Sequence, residues 1–115
     1  MIHHMKLHPA PFEMIKSGKK TIELRLYDDK RQKIKVGDEI VFTNTVTDEK
    51  LPTRVLKLHH FDSFEELYKF LPLLQCGYTS ENVVMATPTD MERYYSVEEQ
   101  DAYGVVGIEL CYLKI

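Results

Sequence analysis

Gly18-Lys19-Lys20-Thr21-Ile22-Glu23-Leu24-Arg25 opens on a glycine and runs into strict alternation, and the reading of this octet decides the fold. Thr21, Glu23, Arg25 and Tyr27 recur at every second position with Ile22, Leu24 and Leu26 between them, so a β-strand puts the two sets on opposite faces. The expectation is one apolar side facing the core and one side carrying charge. Upstream, Pro9-Ala10-Pro11 suits the first turn of a short helix, where a missing N–H costs nothing, and Phe12 and Ile15 then share a face. Gly18 can take the left-handed conformation that ends such a helix, turning the chain sharply into the strand. Parity would put Lys20 on the side of Ile22 and Leu24 if the strand began that early, and a lysine does not point unpaired into an apolar core. Lys20 is therefore expected in the turn after Gly18, or at a bulge, from which it can reach Glu23 and Arg25.

Working outward, Ile2, Met5 and Leu7 suggest a short strand before the helix, and the charged run from Asp28 to Lys35 reads as a loop or one helical turn. Val36-Gly37-Asp38 is a turn signal ahead of a strand over Glu39 to Asn44. Another strand follows over Leu51 to His60, with Pro52 placing its start at an edge or bulge. Ser63-Phe64-Glu65-Glu66 fits a capping box, and Phe64, Leu67, Tyr68 and Leu71 follow a helical stripe that Pro72 stops. Thr89 to Glu92 and Ser96 to Glu99 repeat the capping signature, and Gly104 ends the second of these turns. Val105 to Ile115 is apolar on both faces, as in a central strand. About five strands with short helices between them make an α+β domain, and too little helix separates them for a doubly wound parallel sheet. A mostly antiparallel β-barrel with peripheral short helices is the expected architecture.

The chain has 115 residues, the size of a single domain spanning 1–115 around one hydrophobic core. With 15 Lys and Arg against 18 Asp and Glu, the net charge is −3. No overall basic field recruits long duplex DNA, and a local basic pocket suits a short or small anionic ligand better. Cys76 and Cys111 have neither metal-binding nor disulfide-framework spacing, which points to a reducing cytoplasm and thiols used as packing. No stretch is long and apolar enough to span a membrane, so no membrane partner is expected. The five histidines, among them the adjacent pairs His3-His4 and His59-His60, lack a recognisable ligand spacing. Neither a metal nor a cofactor is implied.

Gly18, Lys20, Glu23 and Arg25 match G-x-K-x-x-E-x-R, the hallmark of ASCH domains, which are relatives of the PUA RNA-binding fold. The helix before the glycine, the Val36-Gly37-Asp38 turn and the terminal Tyr103-Gly104-Val105-Val106-Gly107-Ile108 strand extend the resemblance over nearly the whole chain. It implies a PUA-like barrel with a cleft where the motif side chains meet, and RNA or a nucleotide-like ligand as partner. Some members of the family are enzymes. Small bacterial relatives hydrolyse the acetyl amide of N4-acetylcytidine with a lysine, a threonine and a glutamate, and nuclease activity also occurs. Lys20 matches that catalytic lysine, whereas Glu23 stands in the place of the threonine. Glu92, Glu98 and Glu99 are candidates for the remaining carboxylate by their proximity to Tyr94-Tyr95.

The chemistry of the octet admits two roles. Desolvated beside the Arg25 cation, Lys20 would act as base or nucleophile with Glu23 as the catalytic carboxylate; paired with Glu23, it would stay protonated and bind. Arg25 presents a planar fork of donors suited to a phosphate or base edge and is the expected ligand anchor. Tyr94 and Tyr95 offer rings for base stacking, or else one packs in the core and the other lies on the surface. Cross-strand Glu–Arg pairing with no ligand accounts for the same alternation. Three functions therefore stand side by side: binding of RNA or a nucleotide, hydrolysis of a modified nucleoside or RNA, and protein contact through the cleft.

Overall fold

The computed structural model describes residues 1–114. Strands β1 (Ile2–Leu7), β2 (Ile22–Leu26), β3 (Glu39–Asn44), β4 (Lys50–Phe61) and β5 (Val105–Tyr112) form one sheet in the order β1-β3-β4-β5-β2. Helices α1 (Pro9–Lys16), α2 (Asp29–Gln32), α3 (Phe64–Phe70) and α4 (Val97–Tyr103) surround it. Three short 3-10 segments, Leu73–Gln75, Val83–Met85 and Pro88–Arg93, connect α3 to α4. The expected strands and most helix signals are present, so the α+β reading stands. The last expected strand residue, Ile115, lies outside the described residues.

The barrel differs from expectation. The sheet is mixed, because β1 and β3 run parallel while the other pairs are antiparallel, and it curls into a half-barrel. Its edges, β1 and β2, share no backbone ladder. Side chains bridge the seam instead: the Arg25 guanidinium donates to the Lys6 carbonyl at 2.9 Å, and the Lys30 ammonium donates to the His4 carbonyl at 2.6 Å. These cations satisfy outward carbonyls that an edge strand otherwise leaves to water. Pro52 sits in the central strand β4 opposite Val41, and the register shift falls at Val55/Lys57 rather than at the proline.

Packing also differs from a single core with a charged outer face. Glu23 lies opposite Ile108 and Arg25 opposite Val106 on β5, so these charged residues share the face of the larger apolar cluster. That cluster includes Phe12, Ile40, Phe42, Leu51 and Val55. Ile22 and Leu24, on the other face, join Phe64, Leu67 and Leu71 in a second cluster under α3. Strands β2 and β5 are buried on both sides, whereas β1, β3 and β4 bury one face, and the charged side of β2 is the one turned inward. Gly107 permits this double layer, since a Cβ there would stand 2.6 Å from the Leu71 Cδ1.

The helix caps follow local chemistry. Ser63 Oγ accepts from the Glu66 N–H at 3.2 Å, and Ser96 and Glu99 exchange side chain-to-backbone bonds at 3.1 and 3.0 Å. The expected Thr89/Glu92 cap is displaced to Thr87 and Asp90, whose carboxylate accepts from the Thr87 N–H at 3.3 Å. Pro88 explains the shift: its missing N–H suits the first position of the turn, leaving Thr87 as the cap.

Candidate functional site

Gly18 has φ of +83°, so the chain reverses there, and the Lys20 N–H donates back to the Met14 carbonyl of α1 at 3.0 Å. Lys20 thus precedes β2 and escapes its parity. Its ammonium reaches Glu23 Oε1 at 2.6 Å, while the Arg25 Nε donates to Glu23 Oε2 at 2.7 Å. One carboxylate holds both cations, one on each oxygen. Lys20, Glu23 and Arg25 therefore meet as the sequence reading requires, and Lys20 and Glu23 are buried.

Burial opposes the Glu23 charge, but the Lys20 ammonium and Arg25 guanidinium outweigh it and hold the carboxyl below the usual carboxylate range. For Arg25 the balance is similar: burial lowers its pKa, and the Glu23 charge raises it beyond the ordinary value. Two cations and one anion leave a net charge of +1 at this point. A carboxylate saturated by two cations is a weak general base, whereas the excess positive charge suits an anion or an electronegative base edge.

This trio forms the floor of a cleft of about 820 Å³. Lys6 of β1 and His8, the residue between β1 and α1, flank it, and residues 76–95 build the opposite wall. Gly77, at φ of +110°, carries the wall across the lysine stem: a Cβ there would lie 3.4 Å from the Lys20 Cδ. The neighbouring Cys76 is buried, and burial pushes its thiol up to about 11 despite the nearby Lys20 charge, so it acts as packing.

The tyrosine pair divides. Tyr95 stacks on Phe64, with ring centroids 6.2 Å apart and planes 18° from parallel, and packs against the second core cluster. Tyr94 is 60 % exposed at the cleft rim, which leaves its ring free for a ligand. Glu92, Glu98 and Glu99 do not line the cleft, and Glu99 is engaged at the α4 cap.

The carboxylate of the opposite wall is Asp90, which sequence reasoning did not single out. The Tyr78 hydroxyl donates to Asp90 Oδ2 at 2.6 Å, and the Tyr68 hydroxyl lies 2.7 Å from that of Tyr78. The Tyr78 bond and the Thr87 N–H hold the Asp90 carboxyl below its usual range, while burial and the same carboxylate push the Tyr78 phenol up. The only local signal for Asp90 is its place as third residue of a capping box. Its link to Tyr78, twelve residues away, has no periodicity to announce it.

The chain and its fold have known relatives. A family model for the ASCH domain matches residues 5–113. The crystal structure of hypothetical protein PH0355 is 34% identical with a TM-score of 0.80, covering 98% of this chain and 100% of that one. The solution structure of protein PF0455 from Pyrococcus furiosus is also 34% identical, with a TM-score of 0.77 and full coverage of both chains. The S128A mutant of an ASCH protein from Zymomonas mobilis shares the fold at 14% identity and a TM-score of 0.65, over 95% of this chain and 66% of that one. A search of curated proteins finds no match.

Proposed function

The chain belongs to the ASCH domain family, and on that premise we propose that its cleft binds single-stranded RNA or a nucleotide. One observation carries the reading: a buried carboxylate holds two cations at the floor of a nucleotide-sized cleft, leaving net positive charge on a chain of net charge −3. Lys20 and Arg25 contact phosphate or a base edge, Glu23 positions both, and Tyr94 stacks on a base. Tyr95 supports the wall. Single-stranded RNA fits because splayed bases can enter a cleft that a duplex cannot. In this reading residues 1–115 form one PUA-like unit working in the cytoplasm, with the half-barrel seam bridged by Arg25 and Lys30.

A second reading, hydrolysis of an acylated nucleoside, is favoured by the Tyr78–Asp90 pair, which adds a phenol and a carboxylate to the cleft that holds Lys20. Short 5′-phosphorylated RNAs and N-acylated nucleosides, offered to the wild type and to Lys20→Ala, separate the two. Binding should fall about tenfold or more in the variant, a charged hydrogen bond being worth about 1.5–3 kcal/mol, and wild-type affinity should drop with added salt. Deacylated product that vanishes with Lys20→Ala would replace binding by hydrolysis as the principal function. Neither binding nor turnover would defeat both readings.

A further inference from the structure

Asp90 is fixed and only half used. Its Oδ2 receives the Tyr78 hydroxyl at 2.6 Å and the Thr87 N–H at 3.3 Å, whereas Oδ1 has no protein donor among the described residues. Tyr78 is itself held by Tyr68, by the 2.7 Å hydroxyl contact and by an edge-on ring arrangement with centroids 5.9 Å apart. All three residues line the cleft whose floor carries Lys20 and Arg25. The site is thus divided: the floor carries a net positive charge, while on the wall the Asp90 carboxylate is balanced by the nearby Arg93.

That division orients a nucleotide. A phosphate is attracted to the net positive Lys20–Arg25 floor and finds no such excess on the wall, where Asp90 offsets Arg93, so the base falls to the wall. An ionised aspartate can only accept hydrogen bonds, so the unpartnered oxygen is open to a donor that the base supplies. Cytosine, adenine and guanine each present an exocyclic amine. Uracil presents a single N–H between two carbonyl oxygens, both of which a carboxylate repels. We propose that Asp90 reads the base in this cleft, selecting amine-bearing nucleobases over uracil, with Tyr78 as the positioning residue that fixes the carboxylate.

This inference rests on the nucleotide-binding reading, and the test separates their failures. The probes are 5′-phosphorylated pentamers of cytidine, adenosine and uridine, with affinity measured by fluorescence anisotropy at fixed salt. In the wild type the cytidine and adenosine pentamers should bind about tenfold or more tightly than the uridine pentamer, the scale of one directed base contact. Asp90→Asn, whose amide can donate to a uracil carbonyl, should bring that ratio close to one. Tyr78→Phe should lower it to an intermediate value. A ratio reports on the folded fraction alone, so partial unfolding of a variant does not mimic the effect. Equal affinity for all three pentamers that still depends on Lys20, or a ratio unchanged by Asp90→Asn, overturns base reading and leaves the binding reading intact. No binding of any pentamer, or binding indifferent to Lys20→Ala, overturns both.

Discussion

The two walls of the cleft are built on different principles. The floor strand β2 is tied to β5 by a backbone ladder over Ile22 to Leu26, is buried on both faces, and holds its charged trio through one carboxylate. The opposite wall, from Leu73 to Tyr95, has three short 3-10 segments, and side chains tie its connecting stretches: Tyr78 to Tyr68 of α3, Tyr78 to Asp90, and Thr79 with Asn82. Rigid floor and side-chain-tied wall should therefore fail differently. Regions with few backbone ladders open locally at lower free energy than sheet cores do.

The largest effect should come from the floor. Glu23→Ala leaves Lys20 and Arg25 facing one another without their shared anion in a buried place, and breaking such a pair costs about 3–5 kcal/mol. Urea unfolding would measure it, and a loss under about 1 kcal/mol would mean that water replaces the carboxylate easily. Next comes the point where the walls meet. Gly77→Ala forces an L side chain to φ of +110° beside the Lys20 stem, at a cost on the order of 1–3 kcal/mol that comes from the backbone. Ligand affinity should fall with it, since the strained turn is what carries the wall across Lys20.

Tyr78→Phe should be smaller, about 1–2 kcal/mol for the two part-buried bonds of its hydroxyl, to Asp90 and with Tyr68. Its signature is location: amide exchange should quicken in residues 76–90 while β4 and β5 stay protected. Faster exchange spread evenly over the sheet would erase the contrast between the walls.

Acid provides the gentlest probe. Glu23 titrates below its ordinary value of 4.5 in the folded protein, and Asp38 falls from 3.8 to about 2. For Asp38 the causes are the His3 hydrogen bond at 2.8 Å and the Lys35 N–H. In both cases the unfolded chain binds the proton first, so the stabilisation is complete above the unfolded pKa and drains away as pH falls through the folded one. Stability should be flat from pH 7 to about 5 and decline between about 4 and 2. Glu23→Gln should flatten part of that decline, and an unchanged slope would remove the floor carboxylate as its source.

Legibility along the chain follows the range of the interactions. The strand at β2, the helix ending at Gly18, the Ser63 and Ser96 caps and the terminal strand rest on contacts within a few residues, and their patterns are visible in the sequence. Lys20 is legible for the same reason, because a glycine turn and strand parity together confine it. The inward direction of Glu23 and Arg25 is not, since alternation distinguishes two faces without saying which of them α3 will cover. Tyr94 and Tyr95 are adjacent and chemically alike, and only the position of Phe64 separates a packed ring from a free one. Asp90 has local meaning as a cap residue and acquires its second role from Tyr78 across the wall.

By itself, then, the order of residues determined the charged octet, the turn that frees its lysine, and the family to which its spacing belongs, because each depends on neighbours in the chain. Tertiary structure decided that β2 and β5 are buried on both sides, that the sheet's seam is bridged by Arg25 and Lys30, and that a carboxylate far from the octet faces the same cleft. Those are contacts between segments distant along the chain, and no local periodicity encodes which distant surfaces meet.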